Sequence, residues 1–194
     1  MSKLETKQFN MMVFGTGGQG LITLLQVISE AAMIEGYDIK TSELHGLSQR
    51  GGSVEVHIRF GRKIYSPLVP QGKADLILSL ETQESLRGAY FAGPQTKFLI
   101  NKFVMPIPLT SPLPEKEILK DLQRISKDIN LVPSADICKR ELGTGVVSGV
   151  FLLSLAVSKK MIPLRADSVL KAIKKIIPAK YLELNLKAFK LAED

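Results

Sequence analysis

The chain has 194 residues, 45% hydrophobic and 23% charged, enough for one well-filled α/β core. Its single cysteine excludes an internal disulfide and a self-held iron–sulfur cluster, which takes about four thiolates, and two histidines besides leave no set for a structural zinc site. The net charge of +7 comes without tryptophan, a basic run or a nucleic-acid-reading motif, so nucleic-acid binding is not expected.

Residues 1–8 are polar and charged, unlike a secretory leader, and the most apolar stretch, Val146 to Val157, is too short for a bilayer span of about 20 residues. The expectation is a cytoplasmic protein with no membrane contact. Phe9 to Phe14 is an apolar run that predicts a buried strand. Gly15-Thr16-Gly17-Gly18-Gln19-Gly20 follows, and then Leu21 to Met33, whose Leu21, Leu24, Leu25, Ile28 and Ala32 fall at helical spacing. Strand, glycine turn and helix together give G-x-G-x-x-G the context in which it has a mechanism: a sharp turn, close backbone approach, and a helix start facing a ligand. One reading is a tight turn that packs helix on strand and binds nothing. Another is a dinucleotide site, which asks for an acid about 20 residues on to hold a ribose; Glu43 stands near that place.

Tyr37 to Glu43 predicts a second strand, a neighbour of the first. Leu44 to Gly52 is polar and glycine-rich, hence a loop. From Ser53 to Phe60, Val54, Val56, Ile58 and Phe60 alternate with Ser53, Glu55, His57 and Arg59, and Gly61-Arg62 predicts a hairpin turn into Lys63-Ile64-Tyr65. A hairpin here argues for a mixed sheet and against a simple dinucleotide fold. His57 reads as structural. Ser66 to Gly72 is a connector, and Ala74 to Leu80 is apolar throughout, as a strand covered on both faces requires. Thr82 is a candidate N-cap for a helix over Gln83 to Phe91. Gly93-Pro94 ends it, Thr96 to Asn101 is another central strand, and Val104 to Pro114 is an extended loop.

Pro114 to Ser126 predicts an amphipathic helix with Ile118, Leu119, Leu122 and Ile125 inward. Asp128 to Val132 is a short strand, and Ser134 to Leu142 is a helix closed by Gly143 and carrying Cys138 as a buried or half-buried residue. Val146 to Val157 is apolar all round, a core helix or a dimer seam, so a homodimer of the isolated chain is a further expectation. Arg165 to Ile177 and Ala179 to Lys190 close the chain, their lysines forming the solvated faces of amphipathic helices. The predicted fold class is α/β: a single three-layer domain over 1–194, with a mixed, mostly parallel sheet, a hairpin, and a Rossmann-like first βα unit.

Both glycine-rich loops follow strands and are expected at the carboxyl edge of the sheet, where ligands of such folds bind. The second carries His45, Ser48, Gln49, Arg50 and Gly51, with Arg50 suited to a phosphate or carboxylate. No nucleophile–base pair can be assembled from these residues, so the chain reads as half of a site.

Gly15 to Gly20 together with Glu43-Leu44-His45-Gly46-Leu47-Ser48-Gln49-Arg50-Gly51-Gly52-Ser53-Val54 resembles the gamma domain of the 2-oxoacid:ferredoxin oxidoreductases. The His-Gly-x-Ser-Gln-Arg-Gly-Gly form looks most like that of the small, beta subunits of the indolepyruvate branch. Lys73-Ala74-Asp75-Leu76 and Leu184-Asn185-Leu186-Lys187-Ala188-Phe189 also look familial, so the resemblance spans almost the whole chain. It implies a non-catalytic subunit. A large alpha subunit would carry thiamine diphosphate, magnesium and the 4Fe-4S clusters. The complex would oxidatively decarboxylate an aryl 2-oxoacid, with coenzyme A and ferredoxin, to acyl-CoA, carbon dioxide and reduced ferredoxin. The small chain would hold no cofactor alone. Its turn, Gly15, Gly17, Gly18, Gln19 and Gly20, would present amides to the partner or to coenzyme A at a shared edge. Arg50, beside Gly51, would anchor an anion; His45, Ser48 and Gln49 would line the rim. One departure stands out: family members have an asparagine near the start of the long apolar helix, where this chain reads Gly143-Thr144-Gly145-Val146-Val147-Ser148-Gly149. The readings from a different class are an independent NAD(P)-binding oxidoreductase and a nucleotide-binding regulatory module.

Overall fold

The computed structural model describes residues 8–46, 51–106 and 111–193. Six strands form one sheet: β1 (Gln8–Thr16), β2 (Asp38–His45), β3 (Ser53–Gly61), β4 (Leu76–Ser79), β5 (Lys97–Asn101) and β6 (Ile129–Val132), in the order β2-β3-β1-β4-β5-β6. β3 runs antiparallel to both β2 and β1, whereas β1, β4, β5 and β6 pair in parallel. Among the described residues six α-helices accompany it: α1 (Leu21–Ile34), α2 (Glu115–Gln123), α3 (Ser134–Leu142), α4 (Ser148–Ser158), α5 (Ala166–Ile176) and α6 (Ala179–Leu191). No described helix is long and apolar enough to cross a membrane.

The continuous apolar runs are explained by helices on both faces. Met11 and Val13 of β1 join Val56 and Ile58 of β3 and Leu76 and Leu78 of β4 beneath α1, α4 and α5. Met12 and Phe14, with Ile77, Phe98 and Ile100, meet Ile118 and Leu122 of α2 and Phe91 on the other side. A third cluster gathers Cys138, Val147, Phe151 and Ala188 where α3, α4 and α6 meet. The apolar α4 is therefore a core helix, with Leu152, Leu153 and Ala156 fully buried. The nine lysines and arginines of the last third singled out by their spacing, from Lys159 to Lys190, are all exposed.

Two expectations about the sheet fail. The hairpin expected between residues 53–60 and 63–65 does not form; β3 pairs instead with β2, registered from Asp38 opposite Gly61 to His45 opposite Val54. Leu44 and His45 belong to β2 rather than to a loop. Residues 63–65 form no strand; the Ile64 N–H donates to Asp38 Oδ2 at 2.8 Å, and the chain passes straight to β4. Because β3 runs antiparallel, it ends where β4 begins, and no crossover helix is needed. The second failure is that β1 and β2 are not neighbours: β3 lies between them. The polar β2, with Asp38, Lys40, Thr41, Ser42 and Glu43, takes the edge, where a strand meets water, and the more apolar β3 takes the interior.

Helix α4 ends in a left-handed cap. The Met161 N–H donates to the Ala156 carbonyl at 2.8 Å and the Lys160 N–H to that of Val157 at 3.0 Å, the Schellman pattern. Lys160 pays for it with φ +52°, the one non-glycine residue in that region among those described. Lys160→Gly is expected to raise stability by about 0.5 kcal/mol, the left-handed cost removed less the added freedom of glycine in the unfolded chain. Urea denaturation midpoints of the two proteins check this.

Candidate functional site

The two glycine loops meet at the carboxyl end of β1. Register sets this: Thr16, the last residue of β1, stands opposite Ser53, the first of β3. The Gly17 N–H donates to the Gly52 carbonyl at 2.8 Å, and the Gly46 N–H closes the second loop onto Ser53 at 3.0 Å. Gly18 and Gly20 adopt φ +99° and +79°, conformations that favour glycine at both places. Gly51, at φ +69°, sits beside this junction. Ser48, Gln49 and Arg50 lie outside the described residues.

The turn is less open than its sequence suggests. The N–H of Gly17 is taken by Gly52 and that of Gln19 by the Thr16 carbonyl at 3.2 Å, so neither faces outward as expected. Those of Gly18 and Gly20 have no described acceptor. The Gln19 side chain folds inward: its Oε1 accepts the Thr16 N–H at 2.8 Å, and its Nε2 donates to the Leu80 carbonyl at 3.2 Å. That carbonyl also receives Asn101 Nδ2 at 3.1 Å. Asn101 Oδ1 in turn accepts the Ser134 hydroxyl at 2.7 Å and the Ala135 N–H at 3.2 Å. One hydrogen-bonded chain thus crosses the ends of β1, β4 and β5 and reaches the first turn of α3.

This arrangement works against a dinucleotide. The strand order reverses between β1 and β4, and open α/β sheets bind their ligands at that crevice. Here the Gln19 carboxamide bridges it. Glu43 is no better placed for a ribose: it lies on edge strand β2, two strand spacings or about 10 Å from β1. Its carboxylate pairs instead with His45 Nε2 at 3.2 Å. His45 is thereby placed at the sheet edge, away from the glycine turn.

The polar face of β3 is buried, not solvated. The helix expected over Gln83 to Phe91 covers it as a 3-10 helix, Gln83–Tyr90, with the Gly88 backbone so close to Ile77 that an added Cβ would stand 2.9 Å from it. The Ser53 hydroxyl donates to Glu84 Oε1 at 2.7 Å, Arg87 reaches Glu84 at 3.7 Å and Glu55 at 3.5 Å, and Glu55 Oε1 lies 3.1 Å from His57 Nε2. His57 Nδ1 accepts the Val69 N–H at 3.0 Å, which fixes a neutral ring with its proton towards Glu55. Thr82 is not a side-chain cap; its hydroxyl donates to the Asn101 carbonyl at 3.0 Å, and Glu81 Oε2 accepts the Glu84 N–H at 2.7 Å instead. Burial raises the pKa of Glu81 against these N–H bonds, and raises that of Asp75 against its bond from Asn10. Asn101 and Glu81 were visible in the sequence only as strand ends; an asparagine closing an apolar strand is the signal that could have drawn attention. Cys138 is fully buried, and burial pushes its thiol up to about 11, so it is no nucleophile.

His57 gives a pH prediction. Burial lowers its pKa from the usual value, outweighing the pull of Glu55, so the unfolded chain binds the proton more readily. The stability this neutral histidine contributes is present above the unfolded value of about 6.5 and is lost as pH falls below it. Urea midpoints between pH 7.5 and 5.5 should fall on acidification, and more steeply than in His57→Gln.

The comparisons agree with this geometry. Residues 10–194 match the family model described as pyruvate ferredoxin/flavodoxin oxidoreductase. The chain is 35% identical over 189 residues to the indolepyruvate oxidoreductase subunit IorB of Archaeoglobus fulgidus, covering 95% of this chain and 93% of that one. It is 34% identical over 190 residues to the same subunit of Pyrococcus horikoshii, covering 95% and 94%. The fold is similar to the keto/oxoacid ferredoxin oxidoreductase gamma subunit of Geobacter sulfurreducens (TM-score 0.69, 21% identity, 95% and 96% covered). It is also similar to part of the 2-oxoglutarate:ferredoxin oxidoreductase of Magnetococcus marinus, a structure with 2-oxoglutarate, coenzyme A and succinyl-CoA bound (TM-score 0.70, 18% identity, 97% of this chain and 32% of that one). With joined glycine loops, a closed nucleotide crevice and a match over almost its whole length, the chain belongs to the pyruvate ferredoxin/flavodoxin oxidoreductase family, among its small subunits.

Proposed function

We propose that this chain is the small, beta subunit of a thiamine-dependent indolepyruvate-type (aryl 2-oxoacid):ferredoxin oxidoreductase of the cytoplasm. The observation that carries this reading is the 35% identity to an indolepyruvate oxidoreductase subunit over nearly the full length of both chains. The large alpha subunit holds thiamine diphosphate, magnesium and the 4Fe-4S clusters, and passes electrons to ferredoxin. One thiol in this chain, fully buried, supports that division of labour.

The shared edge is the joined glycine loops. The Gly18 and Gly20 N–H groups are the amides of the turn left to meet a coenzyme A phosphate or a carboxylate of the large subunit. Arg50 anchors an anion there, with Ser48 and Gln49 beside it and His45 at the outer rim. The likeness to a protein solved with coenzyme A supports this assignment of ligand.

Purifying the tagged chain from its native host, and assaying the bound material for thiamine diphosphate and iron, tests the function. A large partner carrying both is the expected result; a lone chain that retains NAD(H) overturns it. In the assembled complex, Arg50→Ala is expected to raise KM for coenzyme A by about tenfold, the loss of one charge-assisted contact. Unchanged turnover and unchanged KM would remove Arg50 from this role.

A further inference from the structure

The face of β1 that meets the 3-10 helix ends on an unpaired hydroxyl. Met12 and Phe14 pack on that side, and Thr16 follows them at the same spacing. Thr16 is 5% exposed, and its Oγ1 has no hydrogen-bond partner. Register fixes its neighbours. Ser53 of β3 stands opposite Thr16. On the other side Phe14 is opposite Ser79, and the Leu80 N–H donates to the Phe14 carbonyl at 2.8 Å. The same register, continued past β4, brings Glu81 level with Thr16. Glu84, on the 3-10 helix, closes the third side through the 2.7 Å bond it accepts from the Ser53 hydroxyl. Its other oxygen, Oε2, is buried and accepts no hydrogen bond. Among the described residues, Thr16 Oγ1 and Glu84 Oε2 are the buried side-chain atoms left without a partner of this kind, and both belong to this one cluster.

Charge is unbalanced here as well. Glu55 and Glu84, with side chains 11% and 15% exposed, share one guanidinium, that of Arg87, at 3.5 and 3.7 Å. His57, bonded to Glu55, is held neutral by the N–H it accepts from Val69. Both oxygens of Glu81 are taken, by the N–H groups of Glu84 at 2.7 Å and Met105 at 3.2 Å. One carboxylate charge of the Glu55–Glu84 pair is therefore uncompensated, and Glu84 Oε2 is the free atom that carries it. A water between Thr16 and Glu84 would satisfy their hydrogen bonds but leave a buried charge without a counter-charge, which is costly.

We propose that this cluster binds one monovalent metal cation, K+ or Na+, held by Glu84 Oε2, Thr16 Oγ1 and Ser53 Oγ. All three are hard oxygens, and both hydroxyls keep a lone pair for an ion. One uncommitted carboxylate oxygen matches one positive charge. Calcium takes about six to eight oxygens, and magnesium keeps several of its waters, so neither suits so small a donor set. The unpaired atoms are buried, which suits a bare ion rather than a side chain from another protein. The ion would tie β1, β3 and the 3-10 helix at one point. Thr16 and Ser53 directly flank Gly17 and Gly52, whose hydrogen bond joins the two glycine loops, so the ion would brace that junction. The site lies within this chain and needs neither coenzyme A nor the large subunit.

Thermal unfolding of the full chain in potassium, sodium and tetramethylammonium chloride at equal ionic strength tests it. Tm is expected to rise saturably with K+ or Na+, by about 3 °C or more over tetramethylammonium, an ion too large to enter. Thr16→Val puts a methyl where the hydroxyl was, and Glu84→Gln removes the charge while keeping an acceptor for Ser53. Each should abolish the rise. A crystal of the unaltered chain soaked in thallium(I), a heavy stand-in for K+, should show an anomalous peak between Thr16 Oγ1 and Glu84 Oε2. Equal Tm in the three salts, with a water and no thallium at that position, overturns the proposal and leaves an internal water only. A rise that survives both substitutions overturns it too, since the ion would then bind elsewhere. So does a rise produced by magnesium and by neither K+ nor Na+.

Discussion

Replacing Gly15 with valine is expected to destabilise the chain by about 3 kcal/mol and to impair its assembly with a large subunit. A Cβ at this position would stand 2.7 Å from Gln19 Oε1, 3.1 Å from Leu21 Cδ1 and 3.3 Å from Leu80 Cβ. The first contact is the severe one, and it is made with the group that bridges β1 and β4. Expelling the carboxamide frees the Thr16 N–H and one of the two bonds to the Leu80 carbonyl. It also loosens the turn whose Gly17 is tied to Gly52. The effect therefore passes from packing to the junction of the loops. A pair of variants separates the causes. Gly15→Ala should cost less in a Gln19→Ala background than alone, because the main clash is gone. Urea midpoints measure stability, and co-purification with the large subunit measures assembly. Equal costs in the two backgrounds would remove Gln19 from this account.

Asn101→Leu is expected to cost about 3–5 kcal/mol, the largest effect of any single polar replacement considered. The side chain is 1% exposed and joins Leu80, just past β4, to Ser134 and Ala135 of α3. Leucine removes the acceptor of the Ser134 hydroxyl and the Ala135 N–H, and the donor to the Leu80 carbonyl. Ser134 is fully buried, so its hydroxyl finds no water in exchange. The start of α3 loses its tether to the sheet. A loss below about 1 kcal/mol in chemical denaturation would mean that α3 is held by its packing on α4 and α6 alone.

These two positions also mark how far the amino-acid sequence carries. Gly15 was marked by its motif, and the strand–turn–helix it serves is as expected. The occupant of the space above it was not, because Gln19 reads as one more polar loop residue until β4 is placed beside β1. Asn101 was read as the end of a strand, since the partners that give it meaning lie on other elements. Arg50, Ser48 and Gln49 carry the family resemblance but lie outside the described residues, so their roles rest on the proposed function.

The sequence by itself determined the elements and their faces. Apolar runs marked β1 as a buried strand, β4 as covered on both faces and β5 as central; helical spacing marked α1, α2, α5 and α6; and the paired glycine loops marked the family. The tertiary structure decided which strand lies beside which and how the crevice is closed. The reason is physical. Side-chain periodicity reports which face of an element avoids water, but strands are joined by backbone hydrogen bonds that every residue except proline can offer. A polar β2 could be read as a strand; that β3 would part it from β1 was settled by register, burial and the direction of a hairpin, none of which is local to the residues involved.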